Sequence, residues 1–171
     1  ATPTVATPAA AITTVAAIIS AGIPVMGHVG HTPQSRVGER AVFGDRAEEA
    51  FIVLDNARAL EEVGVFSLVL ECIPERIAEV ITEELAIPTI GIGAGRRCDG
   101  QVLVATDMLG WTRTSFRFVK AYADMAGISR KAFSDYREDV KARRFPAEEH
   151  RFRIRTEELR KFRELAAHGR N

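Results

Sequence analysis

The ten residues 65–74, Val-Phe-Ser-Leu-Val-Leu-Glu-Cys-Ile-Pro, constrain this chain more than any other stretch. Apolar and β-branched side chains run almost without interruption between Gly64 and Pro74. That is the pattern of a strand buried on both faces, as in a parallel sheet. Its end carries one carboxylate, Glu71. Parallel α/β folds place their chemistry at the carboxyl ends of such strands. Desolvation there disfavours a carboxylate's charged form and suits the group to general acid or base work. The other reading is an acid paired with a neighbouring arginine or capping the helix that starts near Pro74. Spacing alone leaves both open.

The flanking sequence supplies more strands and the helices between them. Pro8 suits a first helical turn, and residues 9–20 follow as an Ala-rich helix stopped by Gly22. Residues 23–27 read as a short strand leading into a loop over residues 28–35, with an irregular stretch to Arg46. Residues 47–63 predict an amphipathic helix, with Ala50, Phe51, Leu54, Ala57, Leu60 and Val63 at helical spacing. Residues 74–85 predict another, with Ile77, Val80, Ile81 and Leu85 on one face. Strands are expected at residues 86–92 and 101–105, then helices at 116–125, 130–142 and 156–167. This β–α–β–α–β–β–α order implies a parallel α/β sheet with right-handed crossovers. One domain over residues 1–171 is expected, with a degenerate opening at 1–21, four βα-type strands across 22–115 and terminal helices from 116.

Composition excludes several classes of partner. Lys plus Arg and Asp plus Glu both number 23, so a formal net charge of zero gives no argument for nucleic acid or an anionic membrane. No apolar run approaches the ~18 residues that span a bilayer, and the opening residues lack the basic start of a secretory signal. A cytoplasmic protein is the expectation. Cys72 and Cys98 form no CxxC pair and read as reduced thiols, neither a disulfide framework nor a zinc site.

Three polar motifs remain. Gly91-Ile92-Gly93-Ala94-Gly95 invites a dinucleotide reading, but that fingerprint opens directly into a helix, and here another strand follows. A loop where backbone approaches a substrate or a neighbouring strand fits better. His28 and His31 stand three apart among Gly27, Gly30 and Pro33, a loop context in which metal-pair spacing means little. His28 reads either as a donor to substrate or as a structural histidine bonded to backbone. Arg143, Arg144, Arg151, Arg153 and Arg155 lie among Glu148, Glu149, Glu157 and Glu158, a mixed-charge face.

Five motifs in order, across about residues 20 to 152, resemble the ketopantoate hydroxymethyltransferase family. They are Gly-Ile-Pro-Val-Met-Gly-His-Val-Gly at 22–30 with Thr-Pro-Gln-Ser at 32–35, and Val-Leu-Glu-Cys-Ile-Pro at 69–74. Ile-Pro-Thr-Ile-Gly-Ile-Gly-Ala-Gly at 87–95 is the third, and Asp-Gly-Gln-Val-Leu-Val at 99–104 with Asp-Met-Leu-Gly at 107–110 the fourth. Phe-Pro-Ala-Glu-Glu-His at 145–150 completes the set. His31 departs from the family's usual apolar residue, and residues 37–45 look shortened and less glycine-rich.

The resemblance implies a (β/α)8 barrel of the phosphoenolpyruvate-mutase-like kind, of which this chain supplies strands five to eight. The implied reaction moves a one-carbon unit from 5,10-methylenetetrahydrofolate to 3-methyl-2-oxobutanoate, giving ketopantoate for pantothenate and coenzyme A synthesis. In it Mg²⁺ chelated by the oxo acid stabilises an enolate. By likeness Glu71 matches the catalytic glutamate, and His28 a histidine close to the substrate. The family's metal ligands lie elsewhere, two aspartates on the first and second strands and a glutamate beside a substrate-binding lysine on the fourth. An ungapped count from Gly22 puts Thr4 at the lysine and Ala6 at the glutamate, with Thr7 and Pro8 at two glycines. No Lys, Asp or Glu occurs in residues 1–35, so no residue here is assigned as a metal ligand and Mg²⁺ binding by this chain alone is expected to be weak at most.

Family members form ring-shaped homo-oligomers. The chain is therefore expected to act on a small oxo acid within a homo-oligomer or beside a companion barrel half, and to be inactive alone. The rival is a degenerate, non-catalytic barrel half serving as an assembly or binding subunit. A weaker rival is another oxo-acid lyase of the same superfamily. Half a barrel would expose an apolar sheet face and two unpaired edges, a drive to associate.

Overall fold

Four parallel strands in the order β1-β2-β3-β4 organise the first part of the chain. They are β1 (Met26–Gly30), β2 (Ser67–Glu71), β3 (Thr89–Ile92) and the two-residue β4 (Gly100–Gln101). The computed structural model describes residues 9–31, 42–112 and 116–168, which fall into two units divided between residues 123 and 124. Helix α1 (Ala9–Ser20) precedes β1, α2 (Ala47–Glu62) joins β1 to β2, and α3 (Glu75–Glu84) joins β2 to β3.

Alternation along the strands sorts their side chains. Val29, Leu68 and Leu70 turn towards the helices and are buried against Val53, Ala57 and Leu60 of α2 and Ala78 and Ile81 of α3. Met26, His28, Val69 and Ile90 occupy the opposite face, where Met26 is 45% exposed. The sheet thus has one helix-covered face and one open face.

The helices begin and end close to the expected positions, but two buried stripes differ. Phe51 of α2 points outward and Val53 takes its place in the core, while in α3 the buried side chains are Ala78 and Ile81, with Val80 exposed. Small residues sit where helix and sheet come closest. Gly27 belongs to the same contact, since a Cβ there would fall 2.8 Å from Leu68 Cδ1.

Three expectations about elements are corrected. Strand β1 runs on through His28 to Gly30, so His28 lies in the strand and not in the loop after it. Val29, 4% exposed, holds the strand down as its side chain enters the core. The fourth strand is Gly100–Gln101 only, and a short helix α4 (Ala105–Met108) starts where that strand was expected to end. Residues 116–124 are not helical. There Val119 N–H donates to Phe116 O at 3.1 Å, closing a single turn, and Tyr122 N–H donates to Met108 O at 2.7 Å, a tertiary bond in place of a helical ladder.

No helix separates β3 from β4. Instead residues 96–99 come back along the covered face, where Cys98 lies against Gly91 and Asp99 reaches the start of β3. Asp99 Oδ2 accepts from Thr89 N–H at 2.8 Å and from Thr89 Oγ1 at 3.0 Å, and Thr82 Oγ1 meets Thr89 Oγ1 at 2.8 Å. A fully buried threonine is satisfied on every side, and the return segment is fixed at its foot.

The second unit contains α5 (Met125–Lys141), a 3-10 turn at Glu148–His150, and α6 (Thr156–His168). Asp124 caps α5 by accepting from Gly127 N–H at 2.9 Å. Tyr136, Phe145 and His150 form a ring cluster, and the expected mixed-charge pairing appears as Arg144 with Asp139 and both Arg151 and Arg153 with Glu148. Neither α5 nor α6 buries a residue.

Candidate active site

The two residues singled out for chemistry meet on the open face. In the β1–β2 register His28 lies beside Val69 and Gly30 beside Glu71, so His28 and Glu71 are diagonal neighbours at the carboxyl ends of adjacent strands. His28 Nε2 stands 3.2 Å from Glu71 Oε2. The carboxylate is the more enclosed partner, its side chain 18% exposed against 35% for the imidazole. The imidazole edge thus lies against one carboxylate oxygen, Oε2, and the contact does not involve the other. A base held on one side and open on the other is suited to taking a proton from a bound molecule.

Backbone geometry holds this pair in place. Gly30 has φ +100°, and a Cβ there would fall inside the van der Waals envelope of the Glu71 carbonyl oxygen and 2.9 Å from Ile73 Cγ1. Only a glycine lets β1 close on β2 at this point. The next residue then bonds across, His31 N–H donating to Glu71 O at 2.9 Å. Directly after Glu71, Cys72 takes a left-handed conformation, φ 53°, unusual for a residue with a side chain. It is held by its own N–H on Ile92 O at 2.8 Å and by its carbonyl, which accepts from Phe43 N–H at 2.9 Å. Burial, and then the charge of Glu71, push the Cys72 thiol above its ordinary value. Nucleophilic cysteines carry the opposite shift.

The chain turns from Glu71 into a cavity of about 680 Å³ whose wall includes Cys72, Glu75, Gly93, Phe116, Arg117 and Phe118. Cys72 and the glycine loop are conspicuous in the sequence, whereas Phe116, Arg117 and Phe118 fall in the stretch expected to be helical, and no local pattern marks them as part of this wall.

His31 has its Nδ1 buried without a hydrogen-bond partner among the described residues. Thr4, Ala6, Thr7 and Pro8, the positions matched to the family's lysine, glutamate and glycines, lie outside the described residues, as does most of the shortened stretch at 37–45. Among the described residues no three of His, Cys, Asp and Glu gather as a metal site requires. One imidazole and one carboxylate do not fit Mg²⁺, which takes about six oxygen donors. No helix among them is long and apolar enough to cross a membrane.

A four-stranded parallel sheet with helices on one face is consistent with part of a βα barrel. The ketopantoate hydroxymethyltransferase family profile matches residues 5–148, and the chain belongs to that family. The 3-methyl-2-oxobutanoate hydroxymethyltransferase of Nitratidesulfovibrio vulgaris (strain DP4) is 56% identical over 144 residues, which are 82% of this chain and 47% of that protein. The protein of the same name from Syntrophomonas wolfei subsp. wolfei is 48% identical over 151 residues, 86% of this chain and 55% of its own length. That from Clostridium botulinum (strain Alaska E43 / Type E3) is 45% identical over 156 residues, 90% and 57% respectively. The chain spans about half the length of these relatives.

Proposed function

We propose that this chain supplies the carboxyl-terminal half of a barrel-type 3-methyl-2-oxobutanoate hydroxymethyltransferase, with Glu71 as its general base and His28 as the residue that orients it. The 3.2 Å contact between His28 Nε2 and Glu71 Oε2 at the strand ends carries the reading. Glu71 removes the proton from the carbon beside the oxo group of 3-methyl-2-oxobutanoate, leaving a nucleophilic enolate. His28 holds one carboxylate oxygen, leaving the other to face the substrate, and its ring edge lies within reach of the oxo acid's own oxygens. 5,10-Methylenetetrahydrofolate would supply the one-carbon unit that the enolate attacks. The described residues do not form a Mg²⁺ site. The lysine and acidic ligands that the family places on earlier strands would come from polypeptide outside residues 1–171, in the same or a companion chain.

The open face of the sheet supports that arrangement. Met26, Val69 and Ile90 present apolar surface where a complementary set of strands would sit. The test mixes this chain with the amino-terminal remainder of the Nitratidesulfovibrio relative and follows exchange of the substrate's C3 proton in D₂O by NMR. The reconstituted pair is expected to exchange the proton, and Glu71→Gln to slow it by about 100-fold or more. A pair that assembles but exchanges nothing would favour the non-catalytic assembly subunit. Undiminished exchange with Glu71→Gln would remove the carboxylate from its assigned role.

A further inference from the structure

We propose that residues 151–168 form a docking arm, which lays its apolar stripe and basic side chains on the acidic outer face of α2 and α3 of a second copy of this chain. The arm lies beyond residues 5–148, the part that matches the family profile. The inference therefore does not depend on the hydroxymethyltransferase reading.

Charge is divided along the chain although it sums to zero. Residues 1–123 hold ten Lys or Arg and fourteen Asp or Glu, while residues 151–171 hold seven and three. The excess of acid in one part equals the excess of base in the other, and the residues between them balance. Arg151 and Arg153 pair with Glu148, and Lys161 with Glu158. Arg155 and Arg163 enter no ion pair among the described residues. These two cations are left for an outside partner, and a basic arm on a neutral chain fits an acidic surface.

The arm is also apolar on one side. Arg151, Arg153 and Arg155 alternate with Phe152 and Ile154 in a segment outside any helix, and α6 sets Leu159, Phe162 and Leu165 three residues apart on one face. Phe152 is fully exposed, and Ile154, Phe162 and Leu165 are each more than half exposed. Together they leave apolar surface on the order of 500 Å² in water. Laid on an equal area, this gives about 1,000 Å² of interface, the lower end of what a specific association needs.

The receiving face is the outer side of α2 and α3. Its exposed positions carry Glu48, Asp55 and Glu62 on the first helix and Glu83 and Glu84 on the second. The cations of these two helices are Arg58 and Arg76, and each is already held by a carboxylate, Glu84 and Glu79 respectively. Phe51, 61% exposed, and Val80, 47% exposed, stand among those acids. Acids around two apolar side chains complement the cations around the arm's aromatic stripe. Two net-positive arms repel each other, which disfavours a symmetric arm-to-arm dimer. The contact joins two different surfaces, so it builds chains or rings of copies.

Sedimentation velocity of the full chain at about 1–100 μM tests the arm. Association is expected to weaken tenfold or more between about 50 and 500 mM NaCl. Arg155→Glu/Arg163→Glu and Glu62→Lys/Glu83→Lys, all at exposed positions, should each weaken it about tenfold or more with circular dichroism unchanged. An equimolar mixture of the two variants should recover association, because each reversed surface then meets its opposite on the other copy. A monomer at about 100 μM in low salt, equal association of wild type and both variants, or a mixture that stays apart would overturn the proposal. So would a monomer that sediments with phosphatidylserine vesicles, which would give the arm to a lipid surface. Association that resists both salt and the charge reversals belongs to the open sheet face and likewise refutes the arm.

Discussion

Replacing Gly30 with alanine should be far more damaging than replacing Gly22, although both glycines have positive φ. Gly22 has φ +81° and open space around the missing Cβ, with nothing within 4 Å. Gly22→Ala therefore carries only the backbone term, about 1–2 kcal/mol. At Gly30, φ +100°, the same strain is joined by overlap with the Glu71 carbonyl and with Ile73 Cγ1 at 2.9 Å. Relieving that overlap means moving β1 away from β2. The shift costs about 1–3 kcal/mol in packing and weakens the His31 N–H to Glu71 O bond, worth about 1 kcal/mol. Gly30→Ala is thus expected to cost about 3–6 kcal/mol, a large share of the 5–15 kcal/mol that holds a typical domain together. Urea unfolding followed by far-ultraviolet circular dichroism compares the two variants. Ring resonances of His28 add a local readout: Glu71→Gln should move them in the wild-type background and move them less in Gly30→Ala. Equal destabilisation of Gly22→Ala and Gly30→Ala would refute the close-approach argument and leave only the φ term.

Two further outcomes follow from the covered face. Thr89→Val keeps the shape of a fully buried side chain but strips partners from Thr82 and Asp99, so it should cost about 1–3 kcal/mol in urea melts; adding Thr82→Val should cost less than the two single changes summed, because one bond is then counted twice. Burial pushes the Cys72 and Cys98 thiols above the ordinary value of 9.0, so their contribution to stability is complete below that pH and is lost as pH rises from there through the folded values. Denaturation midpoints should fall above about pH 9 more steeply for wild type than for Cys72→Ala/Cys98→Ala, and identical slopes would count against the burial account.

The strand run at residues 65–74 was legible because a strand covered on one face and half-covered on the other still reads as almost continuously apolar. Helix α2 was legible in extent but not in face. Phe51 and Val53 are both apolar, and which of them enters the core depends on how close the helix lies to Gly27 and Leu68, a tertiary distance that periodicity does not encode. The same limit explains residues 116–124. Their local preference suits a helix, yet Phe118 is claimed by Gly93 and Tyr122 N–H by Met108 O, partners some 25 and 14 residues away in sequence. The β3–β4 link went the other way. Two strands with no helix between them were anticipated, and Asp99 supplies the reason by tying the return segment to the start of β3.

Glu71 could be picked out because one acid in an apolar strand is conspicuous, whereas its partner was visible only as a histidine near a strand end. What joins them is Gly30. Had β1 ended at Gly27, as turn-forming residues suggested, His28 would have been carried off into the loop. The missing side chain at Gly30 lets β1 continue two residues beyond His28 and bond to Glu71, so the imidazole stays in register with Val69 and reaches the carboxylate. Cys72 acts on the other side of Glu71, its left-handed turn bonded to Ile92 and Phe43, and stops β2 from running past the carboxylate. Glu71 is therefore placed by two backbone features in the residues around it. A substitution that respects charge and hydrophobicity but alters backbone freedom at Gly30 should disturb the site more than many changes to the side chains that surround it.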